Sequence, residues 1–250
     1  MNIWESVFLG ALQGLTEFLP ISSSGHLILA GQLFNIPNDL FFNVFLHVGT
    51  LLSVVIILRK KIFLLFTKAY RKVFLMLVLA TIPTVAIALL VKIFVPEEIL
   101  DSLLPIGFAL TIFVLLANHF FSKGDLPLES RFLPPIITGV VQGIAVLPGL
   151  SRSGSTIATL SLFGVNRVQA VDFSFLMSIP IICGSALVEG YEAIKTPVDV
   201  SWYCVVIGIV VAFLVGCLSI RVVSKLASTK KLVYFAIYLV LPLITSLILL

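Results

Sequence analysis

Six stretches of this chain, at about 41–58, 73–94, 102–121, 169–188, 202–220 and 232–249, are apolar enough and long enough to cross a bilayer. Runs of that kind leave few folds open. In hydrocarbon every backbone N–H and C=O must find its partner within the segment, which here means helix. Charged residues make up only 11% of the 250, against about 25% in a soluble domain, so they cannot cover a water-facing surface. The expected architecture is an all-α membrane protein, a polytopic helical bundle formed by one transmembrane domain over 1–250. The first segment carries Glu5 and Glu17 and lacks a basic n-region, so it is expected to stay in the mature protein rather than leave as a signal peptide.

Two further apolar stretches, at about 3–34 and 132–163, are interrupted by Pro followed by a Ser/Gly cluster: Pro20 to Gly25 and Pro148 to Gly154. Proline removes a helical donor, and serine side chains compete for backbone hydrogen bonds. Broken helices at membrane depth survive only inside protein or beside a wet cavity. Both stretches therefore read as re-entrant hairpins with polar turns.

Charge placement orients the chain. Arg59, Lys60, Lys61, Lys68, Arg71 and Lys72 lie in one connection, Arg221, Lys225, Lys230 and Lys231 in another, and Lys123, Arg131 and Arg167 flank the second hairpin. Placing these inside leaves only Lys92, Lys195 and Arg152 elsewhere, while Asp39, Glu97, Glu98, Asp101, Glu189, Glu192 and Asp199 fall outside, a positive-inside pattern. Both termini are then outside, and the hairpins enter from opposite faces. The hairpins also share a pattern. Gly10, Gln13, Gly14, Leu19-Pro20 and Ser22-Ser23-Ser24-Gly25 are echoed in order by Gly139, Gln142, Gly143, Leu147-Pro148 and Ser151-Arg152-Ser153-Gly154. Two inverted-topology repeats, approximately 1–121 and 122–250, would bring the turns together near the midplane. Gly10/Gly14 and Gly139/Gly143 are small-xxx-small pairs that let helices approach closely.

The polar residues in these turns point to phosphate. A helix restarting near Ser153 offers unpaired N–H groups and partial positive charge, to which Arg152, Ser151, Ser153 and Thr156 add donors. An intramembrane Arg is costly enough to need a function or a partner, and Glu17 is the candidate partner. The first turn supplies Ser22, Ser23, Ser24 and His26; His26 serves as general base or acid to Ser23, or merely bonds a backbone carbonyl. Gln13 and Glu17 share a helix face and are the candidate ligands of a divalent cation, Mg²⁺ or Ca²⁺, completed by water and phosphate oxygens. Thr16 and His47 are open between site and packing roles, and His119 reads as interfacial. Cys183, Cys204 and Cys217 lack metal or disulfide spacing. With no GxxxxGK[ST] or GxGxxG, no nucleotide motor is expected, nor a nucleic-acid partner.

On these residues the chain resembles the undecaprenyl-pyrophosphate phosphatases of the bacitracin-resistance type, over essentially its whole length. Gln13-Gly14-Leu15-Thr16-Glu17-Phe18-Leu19-Pro20-Ile21-Ser22-Ser23-Ser24-Gly25-His26 looks like the family's first conserved region, and Pro148-Gly149-Leu150-Ser151-Arg152-Ser153-Gly154-Ser155-Thr156 like its second. Members often carry Glu at the position of Gln13. The resemblance implies a C55 polyprenyl pyrophosphate substrate, a divalent cation, and a monophosphate carrier lipid as product. It implies catalytic roles for Glu17, Ser23, His26 and Arg152, with Ser151, Ser153 and Thr156 alongside. A bacterial plasma-membrane enzyme whose site opens outward is expected, with a homodimer compatible with that reading. A flippase or anion transporter is the competing class, because inverted repeats with broken helices are common there. The other membrane lipid-phosphatase family is disfavoured: no KxxxxxxRP occurs and no His follows Arg152.

Overall fold

A computed structural model describes residues 1–37, 39–122, 125–193, 201–228 and 231–249. They form α1 (Ile3–Thr16), α2 (Ser23–Phe34), α3 (Leu40–Leu65), α4 (Arg71–Phe94), α5 (Glu97–Ser102), α6 (Leu104–Phe121), α7 (Leu133–Ile144), α8 (Arg152–Leu162), α9 (Arg167–Ala193), α10 (Trp202–Ser228) and α11 (Val233–Leu249). The starts have local causes. A capping box opens α1: the Asn2 side chain accepts from the Glu5 amide and Glu5 accepts from the Asn2 amide, each at 2.9 Å. Asp39 caps α3 through the Phe42 amide at 2.8 Å. Pro105 and Pro134 sit in the first turns of α6 and α7, where no N–H is missed.

The chain is an all-α membrane protein. α3, α4, α6, α9 and α10 are each long and apolar enough to cross a bilayer. The sixth expected span is α11, 17 residues long and so about 26 Å at 1.5 Å per residue. Large apolar side chains such as Phe113, Phe120, Ile237 and Ile248 face outward, while Gln13, Thr50, Ser53, Thr84 and Thr111 are fully buried. This is the distribution a lipid solvent imposes. Where 59–72 reads as a connection, α3 instead runs on to Leu65, leaving a short link with one 3₁₀ turn at Lys68–Tyr70. Within the extension, Lys61 forms an ion pair with Asp172 on α9. Of the charges used for orientation, Lys123, Lys195, Asp199 and Lys230 lie outside the described residues.

Close packing depends on the glycine pairs. α1 packs on α10, and a Cβ on Gly14 would come within 2.6 Å of the Ala212 carbonyl oxygen. α7 packs on α4, where Gly139 lies directly against the Ala80 backbone and Thr84 Oγ1 donates to the Gly139 carbonyl at 2.7 Å. α2 packs on α11 and α8 on α6. The two broken segments, α1–α2 and α7–α8, are thus each clamped between two long helices.

Candidate active site

Both incoming helices end four residues before a proline, α1 at Thr16 before Pro20 and α7 at Ile144 before Pro148, and serine caps both outgoing ones. Ser22 is the N-cap of α2, its Oγ accepting from the Gly25 amide at 3.4 Å; Ser151 caps α8 in the same way through the Gly154 amide at 3.1 Å. In each turn the capping hydroxyl lies 3.3 Å from that of the serine two residues on, Ser24 or Ser153. Ser23 and Arg152 therefore occupy the same place, the first residue of a helix. Both reach one carboxylate. Ser23 Oγ donates to Glu17 Oε2 at 2.6 Å, and the Arg152 guanidinium pairs with Glu17 Oε1. Gln13 Nε2 donates to Oε2 at 3.1 Å. The Glu17 side chain is only 2% exposed, so the guanidinium is what makes a charged carboxylate tolerable there.

The turns are in direct contact. Ser153 Oγ donates to the Leu19 carbonyl at 3.1 Å, and Gly25 packs on Gly149, whose φ of +81° is one that a side chain would strain. α6 braces the second turn through Thr111, which donates to the Gly149 carbonyl at 2.9 Å and accepts from the Ser151 amide at 2.8 Å. In the first turn Ser22 itself has φ +70° and ψ 104°, an uncommon conformation for a residue with a Cβ. His26 holds it. Its Nδ1–H donates to the Ser22 carbonyl at 2.7 Å, and in the neutral ring Nε2 accepts from the Tyr238 hydroxyl on α11 at 2.9 Å. The ring also stacks on Tyr238 and meets the edge of Phe108, each at 5.7 Å between centroids.

A cavity of about 190 Å³ opens where the turns meet. Glu17, Ser22, Ser23, Ser24, Ser151 and Arg152 line it, together with Thr16, His47 and Gln142. Val146, Leu150, Ile181 and Ile182 form its apolar side, with Ser185 and Glu189 also lining it. His47 Nε2 is 3.9 Å from Glu17 Oε2. The remaining expected residues are placed behind this wall. Gln13 backs Glu17. Ser153 is spent on Leu19, and Thr156 bonds the Arg152 carbonyl at 2.8 Å and Ser174 Oγ at 2.6 Å. His26 is occupied by Ser22 and Tyr238, so the group hydrogen-bonded to Ser23 is Glu17 rather than His26. Tyr238 carried no sequence signal, being 212 residues from its partner. Gln142 did carry one: it repeats the position of Gln13.

Chemically, the meeting point of the turns has the Glu17 carboxylate, one guanidinium, several hydroxyls and two helix N-termini, a donor set suited to phosphate oxygens, with Glu189 a second carboxylate on the cavity's apolar side. Among the described residues no cluster of three or more His, Cys, Asp or Glu is poised to cage a metal. The oxygen donors at the turns are Glu17 in the wall and, behind it, Gln13 Oε1, which is buried without a hydrogen-bond partner, as is Gln142 Oε1; Glu189 lines the same cavity. That set fits a hard cation that shares its coordination with water and phosphate.

Comparison with known proteins agrees with this chemistry. The family model described as bacitracin resistance protein BacA matches residues 6–244. A protein of Halothermothrix orenii named undecaprenyl-diphosphatase is 38% identical over 95% of this chain and 94% of its own length. One of the same name from Treponema denticola is 38% identical over 96% and 94%, and one from Methanococcus vannielii 36% over 94% and 95%. With likeness running through both turns and nearly from end to end, the chain belongs to the bacitracin resistance protein BacA family.

Proposed function

We propose that this protein is an integral membrane phosphatase that hydrolyses undecaprenyl (C55 polyprenyl) pyrophosphate to undecaprenyl phosphate and inorganic phosphate, regenerating the carrier lipid of cell-wall synthesis. The observation that carries the reading is Glu17 held between Ser23 and Arg152 at the junction of two helix N-termini. Phosphoryl transfer needs little beyond positioning and charge stabilisation, and these groups supply both. Arg152 and the helix starts hold the terminal phosphoryl group. As the guanidinium turns to phosphate, Glu17 is released to take the Ser23 proton. Ser23 Oγ attacks the terminal phosphorus, and the bond to the bridging oxygen breaks with undecaprenyl phosphate as leaving group. Water then cleaves the phosphoserine, restoring the hydroxyl. His26 keeps the Ser22–Ser23 backbone in its unusual conformation. Glu17 and Gln13 would hold a divalent cation, Mg²⁺ or Ca²⁺, which when bound neutralises charge gathering on the pyrophosphate.

The helix pairings support an inverted repeat with re-entrant turns: α1 on α10 corresponds to α7 on α4, and α2 on α11 to α8 on α6. The charge asymmetry supports a plasma-membrane protein whose cavity opens outward. Phosphate release from C55 pyrophosphate by the purified protein, lost on chelation and restored by Mg²⁺ or Ca²⁺, tests the activity; no release under any of these conditions refutes it. Labelling of Ser23→Cys by an impermeant thiol reagent, with the three native cysteines replaced, tests the orientation. Reaction only from the cytoplasmic side overturns it.

A further inference from the structure

The polar cavity has neighbours along α4 and α9. Its apolar side, Val146 and Ile181, also lines a second cavity of about 180 Å³ between α4 and α9. That one shares Val85 and Pro180 with a third, of about 670 Å³, which continues between α3, α4 and α9 to Phe66 and Phe74. The third is lined almost wholly by carbon. Thr81, a polar residue in it, donates its hydroxyl to the Leu77 carbonyl of its own helix at 2.8 Å. Adjoining through these shared residues, the three spaces lie in series as a trough, polar where Glu17, Ser185, Glu189 and Lys92 line it and apolar from there to Phe74.

From Lys92 to Phe74 the trough follows 18 residue steps of α4, about 27 Å of helix beside a hydrocarbon core of about 30 Å. A polar pocket adjoining a trough of that length fits an amphiphile with a single long apolar chain. Resting on the phosphatase reading above, we infer that the α4–α9 trough is the binding site for the polyisoprenyl chain of the substrate. The chain leaves the cavity between Val146 and Ile181 and runs along α4 toward Phe74. Membrane lipid is as apolar as the trough, so burial there adds little affinity. The trough acts by shape: it aligns the chain so that the pyrophosphate arrives end-on at Ser23 and Arg152.

The test compares C55 pyrophosphate with geranyl pyrophosphate, whose two isoprene units occupy only the start of the trough. Val78→Trp fills the far part. The ratio of kcat/KM for C55 over geranyl pyrophosphate is expected to fall at least about fivefold, the lower end of an overpacking penalty. Phe113→Trp, on an outward-facing surface of α6, should leave the ratio unchanged. On the wild-type protein, a long-chain prenyl pyrophosphate with a photoreactive group at its far end should label α4 and α9. An unchanged ratio in Val78→Trp, or labelling centred on α6 or α11, overturns the trough assignment and leaves the phosphatase reading intact. Phosphate release from neither substrate by the wild type overturns the phosphatase reading, with the labelling pattern still reporting on the trough.

Discussion

Replacing Arg152 separates what the guanidinium does for the fold from what it does for the reaction. In the wild type Glu17 is 2% exposed and accepts from Arg152, Ser23 and Gln13. Arg152→Ala leaves that carboxylate buried with two neutral donors. Removing one partner of a buried ion pair costs about 3–5 kcal/mol, so the variant should melt well below the wild type in the same detergent. Catalysis should suffer independently, because a charge-stabilising Arg in phosphoryl transfer is worth about 10³-fold or more. The double variant Glu17→Gln/Arg152→Met distinguishes the two effects: with no charge left to bury, its stability should return to within about 1 kcal/mol of the wild type, while phosphate release stays absent. Arg152→Lys should fold well but turn over poorly, since a point charge cannot replace the planar fork. Thermal unfolding and phosphate release per folded molecule are the assays. Near-normal turnover in Arg152→Ala would refute the site, and a double variant no more stable than the single would refute the buried pair.

Other changes test neighbouring links. Glu17→Gln should lower kcat at least about 10²-fold, the usual worth of general-base catalysis; a phosphoserine trapped at Ser23 in wild type and absent in Ser23→Ala would establish covalent attack, and full activity in Ser23→Ala would exclude it. Tyr238→Phe keeps the stack on His26 but loses its hydrogen bond, worth about 1 kcal/mol; kcat should fall severalfold with KM unchanged, and His26→Ala should be worse because the Ser22 backbone is then free to relax. An unaltered kcat in both would dissociate His26 from the turn. Gly139→Ala sets a methyl against the Ala80 backbone, and a loss of about 1–3 kcal/mol of stability should appear in thermal unfolding; a melting point equal to the wild type would mean that α7 and α4 shift apart freely.

Much of this is legible in the sequence. Pro20 and Pro148 mark where the short helices must stop, and Ser22 and Ser151 where new ones are capped, because these residues act through local backbone chemistry. The Glu17–Arg152 pairing was legible for a different reason: they are 135 positions apart, but neither charge is stable alone in a bilayer. His26 shows the limit. Three residues from Ser23, its spacing suits a base for that hydroxyl, yet the ring turns to the Ser22 carbonyl because Tyr238 waits on α11 with the matching donor. No local rule carries that information. The trough was equally hidden, because a side chain lining it and one facing lipid are the same residue types.

The two turns share their caps and their contacts but not their charges. Ser23 and Arg152 hold equivalent places, whereas Glu17 has no counterpart: Ala145, Val146 and Leu147 fill that stretch of the second turn. A second carboxylate there would sit opposite Glu17 at the turns themselves and add a negative charge where the pyrophosphate binds. Ser23 and Arg152 share the Glu17 carboxylate, and an arriving phosphate is a better partner for the guanidinium than for the hydroxyl. The asymmetry therefore couples binding to activation: the anion that draws Arg152 away is the same anion that the freed Glu17 prepares Ser23 to attack.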